Sequence, residues 1–309
     1  MKLVCLLTYG LGDWYHPLSV IPSIKAGLGI VDVKLYVDCV YFAYPGFESQ
    51  KQTGISMLNA VTKDWEVVPP QYFGSGDWYG IPNRIIGPQY NDIKNDFCFY
   101  RGHALKSYMR NVYDTLKQKE PITFLVGQQK WTYIWNGVEN IPIDFSKREP
   151  LKFSLPNYAE KEKLDKILSE PIVLIHVRKK GRYINDDYFQ QIINYCDTFN
   201  LKTALIGLKS ESILTLGNNT YDFRESLSPE GCMYLIERSA YMITSGSMYT
   251  MHRLYFNKPT IIGLHETFGN GDRNNTYFKE DLDNPNYLIF NSDEPNLNTI
   301  FKTIKTWNL

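Results

Sequence analysis

The sequence predicts an α/β protein of two doubly wound, parallel-sheet domains facing each other across a cleft, and three observations carry the prediction. Short, mostly apolar runs, residues 3–7 and 172–177 among them, read as strands buried on both faces. Between such runs lie stretches whose apolar residues recur at helical spacing, and strand alternating with helix makes a parallel sheet. Turns of glycine and small residues follow several strands, which is where ligands bind in sheets of this kind. At 309 residues the chain is long enough for two domains of ordinary size. They are expected at 1–150 and 151–309, with the last helix placed to pack back on the first domain.

The opening stretch sets the pattern. Residues 3–7 form a strand, Gly10 and Gly12 allow a sharp turn and close approach of a ligand, and helical spacing runs through Leu18, Val20, Ile21 and Ile24. Asp13 stands out, because an acid repels phosphate. On a glycine turn before a helix it is either a general base or an N-cap. A second strand follows at 33–37, then a loop over 41–54, a helix over 55–61 and a strand over 65–68. Gly74-Ser-Gly-Asp77-Trp78-Tyr79 repeats the pattern from Gly10 to Tyr15, either by chance or as a second loop lining the same cleft. Leu105, Tyr108, Met109, Val112, Tyr113 and Leu116 have helical spacing, and 122–126 is another strand. The polar segment 142–156, with three prolines and no periodicity, is the expected linker.

The second half alternates more regularly. A helix over 158–168 leads to a strand at 172–177. A helix follows over 188–199, with Phe189, Ile192, Ile193, Cys196 and Phe199 on one face. Strands at 203–206, 221–223, 241–244, 260–264 and 287–290 are separated by helices at 210–216, 229–238 and 249–256. An amphipathic helix over 296–307 closes the chain. Pro229 sits at a helix start, where its missing N–H costs nothing.

Composition narrows the function. Lys and Arg equal Asp and Glu at 33 each, and duplex-binding domains usually carry a basic excess, so bulk charge argues against DNA while leaving a local basic groove open. The five cysteines are scattered without a CxxC pair, which fits a reducing, cytoplasmic setting. The N-terminal apolar run is too short and wrongly flanked for a signal peptide, and no run approaches the ~20 apolar residues that span a bilayer. A soluble cytoplasmic protein is expected, in the host cytoplasm if the source is viral.

Three constellations could carry chemistry. His176-Val-Arg178-Lys179-Lys180-Gly-Arg182 follows a buried strand and precedes a helix, so its cations form either a phosphate site or a solvated charge run. Thr244-Ser245-Gly246-Ser247-Met248-Tyr249 is again strand, small-residue turn and helix; it offers N–H groups and hydroxyls to diphosphate oxygens, or is a structural turn. His252, soon after, is either a packed or capping histidine or a ligand contact. The third is Asp13 with His16. A GxGxxG pattern, a P-loop, a GxSxG elbow and histidine or cysteine metal spacings are all missing. Asp281-Leu-Asp283 has the form of a metal–nucleotide motif but lies in a polar stretch with no strand before it. No metal or cofactor is expected.

The run Gly10-Leu-Gly12-Asp13-Trp-Tyr-His16-Pro-Leu-Ser-Val-Ile-Pro-Ser-Ile-Lys25 resembles the N-terminal signature of the ADP-heptose:lipopolysaccharide heptosyltransferases and their relatives. The second half is similar to that family's nucleotide-sugar domain. It has a strand ending in the basic loop at His176 to Arg182, a later strand ending at Gly207, and the turn from Thr244 to His252 before Lys258-Pro259. That turn carries Thr244 or Ser245 where the family has aspartate, and the His-x-Arg at 176–178 is also similar to GDP-fucose transferases. The resemblance covers about half the chain. It implies the two-domain GT-B glycosyltransferase fold and metal-independent, inverting transfer from a nucleotide-diphosphate sugar. Asp13 is then the general base. Gly12, His176, Arg178, Lys180, Arg182, Gly207, Ser245, Gly246, Ser247, Met248, Tyr249 and His252 form the donor side, with His16 toward the acceptor; Asp77 and Trp78 join the acceptor side only through the repeated Gly-x-Gly-Asp-Trp-Tyr pattern, since residues 41–119 match nothing in the family. The acceptor is then a surface glycan, or else a hydroxymethylated base in DNA. The readings from other classes are a non-catalytic nucleotide-sugar-binding module and a sugar-nucleotide epimerase.

Overall fold

The computed structural model describes residues 1–7, 11–38, 42, 47–68, 117–118, 124–126, 133–136, 138, 140–142, 144, 147–178, 186–264, 284–291 and 296–307, without the side chains of residues 6, 13, 16, 38, 68, 124–126, 133–135, 140, 142, 186, 264 and 291. Contacts divide the chain into two compact units, Met1–Lys152 and Phe153–Leu309.

In the first unit, β1 (Lys2–Leu7) is the central strand, and Leu3, Val4, Cys5 and Leu7 are fully buried. It pairs in parallel with β2 (Asp32–Asp38) on one side and β4 (Phe124–Val126) on the other, and β3 (Trp65–Val68) extends the sheet beyond β2. Two short antiparallel strands, β5 (Tyr133–Trp135) and β6 (Asn140–Pro142), finish the order β3-β2-β1-β4-β5-β6. Neither was expected from the sequence, because each is three residues long and too brief for alternation to show. Pro142 closes the edge strand, where the lack of an N–H is tolerated.

Helix α1 (Leu11–Leu28) begins directly where a glycine turn is expected, so Gly12 and Asp13 lie within its first turn. Asp13 is therefore not the N-cap; an acid in the first turn still opposes the positive end of the helix dipole favourably. Pro17 has no N–H for the Asp13 carbonyl, so the helix opens one bond short at this point. Trp14, Tyr15, Leu18 and Val20 are fully buried, and Trp14 fills the space over Gly54, where a Cβ would stand 2.8 Å from its ring. The helix ends on Gly29 at φ 63°, with Ile30 N donating to Lys25 O at 3.0 Å, the left-handed C-terminal turn that favours glycine. Helix α2 (Glu48–Val61) starts well inside the expected loop; its polar first turn carries no apolar periodicity to reveal it. Downstream, Leu151 N donates to the Tyr15 hydroxyl at 3.3 Å and Glu149 N to Ser19 O at 2.8 Å, tying the end of the unit to α1.

The second unit opens with α3 (Tyr158–Ile167), capped by Asn157. Its sheet has the order β12-β11-β10-β7-β8-β9, parallel throughout. The strands are β7 (Ile172–Val177), β8 (Lys202–Gly207), β9 (Thr220–Asp222), β10 (Tyr241–Ser245), β11 (Thr260–Leu264) and β12 (Tyr287–Asn291). Four helices connect or close them: α4 (Asp186–Thr198), α5 (Pro229–Arg238), α6 (Met248–Leu254) and α7 (Leu297–Thr306). Phe189, Ile192, Ile193 and Cys196 of α4 pack on Val173, Ile175 and Val177. Phe199, expected on the same face, lies beyond the helix and is exposed. Ile300 and Ile304 of α7 join this cluster, so the closing helix belongs to the core of its own unit. The helix expected over 210–216 is a single 3-10 turn, Lys209–Glu211. Gln190 takes both main-chain groups of Thr215, Oε1 accepting from its N at 2.8 Å and Nε2 donating to its O at 3.0 Å, so the segment is satisfied without helical bonds.

Both sheets share one logic. Numbered within its own unit, each runs 3-2-1-4-5-6, with sequence order reversing between the first and fourth strands. That reversal opens a crevice at the strands' carboxyl ends. In the first unit the crevice lies between β1 and β4, where α1 starts with Gly12 and Asp13. In the second it lies between β7 and β10.

Candidate functional site

The two motifs of the second unit meet at the β7/β10 crevice. The parallel register Ile243 to Ile175 continues one residue to bring Thr244 beside His176. His176 Nδ1 lies 3.2 Å from Thr244 Oγ1 and 3.4 Å from Ser247 Oγ. Two residues on, Arg178 Nη1 donates to the carbonyl of Gly246 at 2.6 Å. The guanidinium is half-buried, so the basic strand end is bound to the small-residue turn while keeping access to solvent. The edge of Tyr249 packs on the His176 ring at 5.0 Å. Burial, and next the charge of Arg178, push the His176 pKa down to about 3, so the imidazole is neutral.

A chain of hydroxyls organises this corner. Thr244 Oγ1 and Thr250 Oγ1 lie 2.9 Å apart, and both donate to the Ser245 carbonyl, at 3.0 and 2.5 Å. Ser247 caps α6 by accepting from Thr250 N at 3.3 Å. Ser245 Oγ is sealed from solvent and has no hydrogen-bond partner among the described residues. Nothing in the sequence alone pairs Thr244 with Thr250. Only their placement is a signal, one at the strand end and the other in the first turn of the helix, both bracketing a small-residue turn.

Gly207 ends β8 at φ 118°, and a Cβ there would stand 2.3 Å from the carbonyl oxygen of Val177. Only glycine lets the ends of β7 and β8 approach this closely. Met248 is buried at the start of α6. His252 does not reach the crevice. It is fully buried, its Nε2 is 2.8 Å from Glu237 Oε1, and its ring meets Phe153 and Phe256 edge-on at 5.2 Å each. The donor contact expected of it is corrected to a core histidine holding α6 against α5. Burial also lowers its pKa, against the opposing pull of Glu237.

Lys180, Arg182, Asp77, Trp78 and the metal-motif aspartates Asp281 and Asp283 lie outside the described residues, as do the side chains of Asp13 and His16. Gly12 and Asp13 are placed by the backbone in the first turn of α1, and His16 three residues along the same helix. Among the described residues no three histidine, cysteine or acidic side chains are grouped to hold a metal, and no helix is long and apolar enough to cross a membrane. Cys5, Cys196 and Cys232 are free thiols.

No protein-family model and no curated protein matches the sequence. Solved structures do match the fold. E. coli ADP-heptose lipopolysaccharide heptosyltransferase II superimposes with a TM-score of 0.54 at 10% identity, covering 99% of this chain and 98% of that one. A family 9 glycosyl transferase from Veillonella parvula gives 0.53 at 11% identity over 99% and 91% of the two chains. The UDP-GlcNAc 2-epimerase of Methanocaldococcus jannaschii, solved with UDP-GlcNAc and UDP, gives 0.50 at 10% identity over 100% and 93%. The chain has the two-sheet α/β fold of these proteins, the GT-B class.

Proposed function

We propose that this chain is an inverting, metal-independent glycosyltransferase that moves a sugar from a nucleotide-diphosphate sugar to a hydroxyl of a glycan acceptor. The observation that carries the reading is the convergence of His176, Arg178 and the turn from Ser245 to Tyr249 at the switch point of the second sheet. Arg178, helped by Lys180 and Arg182, holds the donor diphosphate and stabilises the charge that develops as it leaves. Because Ser247 already caps Thr250, the cations carry more of this role than the α6 amides. Asp13, at the switch point of the first sheet, takes the proton of the acceptor hydroxyl. The acceptor oxygen bonds to the anomeric carbon as its bond to the diphosphate oxygen breaks, and the bonding electrons leave with the diphosphate. Similarity to glycosyltransferases of this fold supports the reaction class. The family signature from Gly10 to Lys25 supports Asp13.

A fold shared with an epimerase does not select the reaction, so the test has two stages. A thermal-shift panel of ADP-, GDP-, UDP- and CDP-sugars with the bare diphosphates should show one base stabilising the chain; at 100-fold excess over Kd the expected gain is about 2.7 kcal/mol. No shift with any nucleotide overturns the proposal. With the base known, product analysis should show transfer or slow donor hydrolysis rather than an epimerised sugar. Asp13→Asn should retain donor binding and lose about 100- to 10,000-fold in transfer rate; unchanged turnover would remove Asp13 from the reaction.

A further inference from the structure

We infer that His176 reads a hydroxyl group of the nucleotide sugar next to the diphosphate, accepting a hydrogen bond from it at Nε2. The inference rests on the nucleotide-sugar reading of the site and names a residue that sets which nucleotide sugar binds.

The hydroxyl chain decides what each imidazole nitrogen can do. The Ser245 carbonyl can only accept, and it takes a proton each from Thr244 Oγ1 and Thr250 Oγ1. The Ser245 carbonyl at 3.0 Å and Thr250 Oγ1 at 2.9 Å both lie nearer Thr244 Oγ1 than His176 Nδ1 does at 3.2 Å, so its one proton goes to one of those oxygens and the hydroxyl accepts from Nδ1. Nδ1 therefore carries the hydrogen, and Nε2 is left as a bare acceptor, because the bond made by one ring nitrogen fixes the other. Nε2 has no partner among the described residues, and it is not among the nitrogens and oxygens sealed without one. The residue keeps 5% of its exposure.

The surroundings suit a hydroxyl. Cδ2, the atom beside Nε2, faces Gly207, where an added Cβ would come within 3.6 Å of it, so the missing side chain leaves that edge of the ring uncovered. Arg178, just past the end of β7 and bonded to the Gly246 carbonyl of the same turn, holds the anion nearby. A nitrogen lone pair repels phosphate oxygen but accepts from a hydroxyl. A neutral acceptor beside a cation thus sorts the two parts of one ligand, with phosphate at Arg178 and hydroxyl at His176. The hydroxyl belongs either to the ribose or to the transferred sugar.

The test is calorimetry on the whole chain with inorganic pyrophosphate, with ADP, GDP and UDP, with their 2′- and 3′-deoxy forms, and with ADP-glucose, GDP-mannose and UDP-glucose. The His176→Asn variant can still donate to Thr244 from a position near Nδ1 but has nothing at Nε2. It should bind pyrophosphate as wild type does and bind a hydroxyl-bearing nucleotide about tenfold more weakly, since one hydrogen bond contributes about 1.4 kcal/mol. Loss on a bare diphosphate that disappears with its deoxy form assigns the ribose. Loss confined to nucleotide sugars assigns the transferred sugar. Equal binding of every ligand by variant and wild type overturns the inference. So does an equal loss on pyrophosphate, or a loss that deoxy forms share. If wild type binds no nucleotide at all, the nucleotide-sugar reading falls, and this inference with it. Thr244→Val, which frees the tautomer without touching the ring, should show a smaller loss on the same ligands and none on pyrophosphate, and it supplies the readout if His176→Asn fails to fold.

Discussion

Two histidine–arginine pairs lie at opposite ends of β10, and they do different work. At the carboxyl end, His176 and Arg178 meet the turn after the strand; the arginine is half-buried and bonded to the Gly246 carbonyl, and the histidine keeps a nitrogen without a partner among the described residues. At the amino end, His252 and Arg253 are fully buried at the close of α6. Arg253 Nη1 donates to the carbonyls of Ile236 at 2.7 Å and Ser239 at 2.9 Å, Nη2 to Ala240 at 3.0 Å, and Nε to Thr260 Oγ1 at 3.3 Å. Desolvation pushes its pKa down to about 10, still far above neutrality, so the cation persists in the core. The same residue types thus serve as a fastener where every polar atom is spent within the fold, and as a ligand site where some are left over.

Removing each arginine should separate the two roles. Arg253→Ala strips several main-chain acceptors of their partner and leaves a cavity, for an expected loss of about 3–5 kcal/mol in denaturant unfolding. Nucleotide affinity of the remaining folded protein should be close to that of wild type. Arg178→Ala should change stability by less than about 1 kcal/mol, since its group is part-solvated and makes a single bond among the described residues. It should weaken binding of the bare nucleotide diphosphate by roughly 10- to 100-fold, the worth of a charge-assisted contact. Calorimetry with folded protein measures this directly, and an unchanged Kd for Arg178→Ala would put the anion elsewhere.

This contrast explains how much was legible in the sequence. The mostly apolar runs at β1, β7 and β10 announce buried strands, because burial on both faces favours apolar side chains at successive positions. The convergence of His176–Arg178 with Ser245–Tyr249 was readable only as two separate turns; nothing in linear spacing says that β7 and β10 are neighbours. Gly10 and Gly12 point to a sharp turn carrying Asp13, yet the helix starts at Leu11 and runs through Gly12, with Trp14 and Tyr15 fully buried in its first turns. Helix α2 is not legible over residues 48–54, since its first turns are polar, mostly face solvent and show no stripe. His252 could not be sorted from His176 by residue type at all. Its role depends on Glu237, fifteen positions away in sequence and 2.8 Å in space.

The smallest expected effect tests the histidines themselves. Both are held neutral by burial, so their folded pKa values lie below the ordinary 6.5, that of His176 at about 3. Between those limits the unfolded chain binds more protons than the folded one, and stability must fall as pH falls. The contribution is fully present above pH 6.5 and is lost progressively toward pH 3. For His176 alone the loss between pH 7 and pH 5 amounts to about 2 kcal/mol at most, at 1.36 kcal/mol per pH unit below 6.5. His176→Asn should remove that part of the acid limb, giving a shallower decline in unfolding free energy over this interval than wild type. His252→Gln should also shallow the decline, but by less, because Glu237 opposes the downward shift in His252. Parallel pH profiles for wild type and His176→Asn would mean that His176 titrates normally in the folded chain, and the crevice would then carry a protonatable imidazole instead of a fixed acceptor.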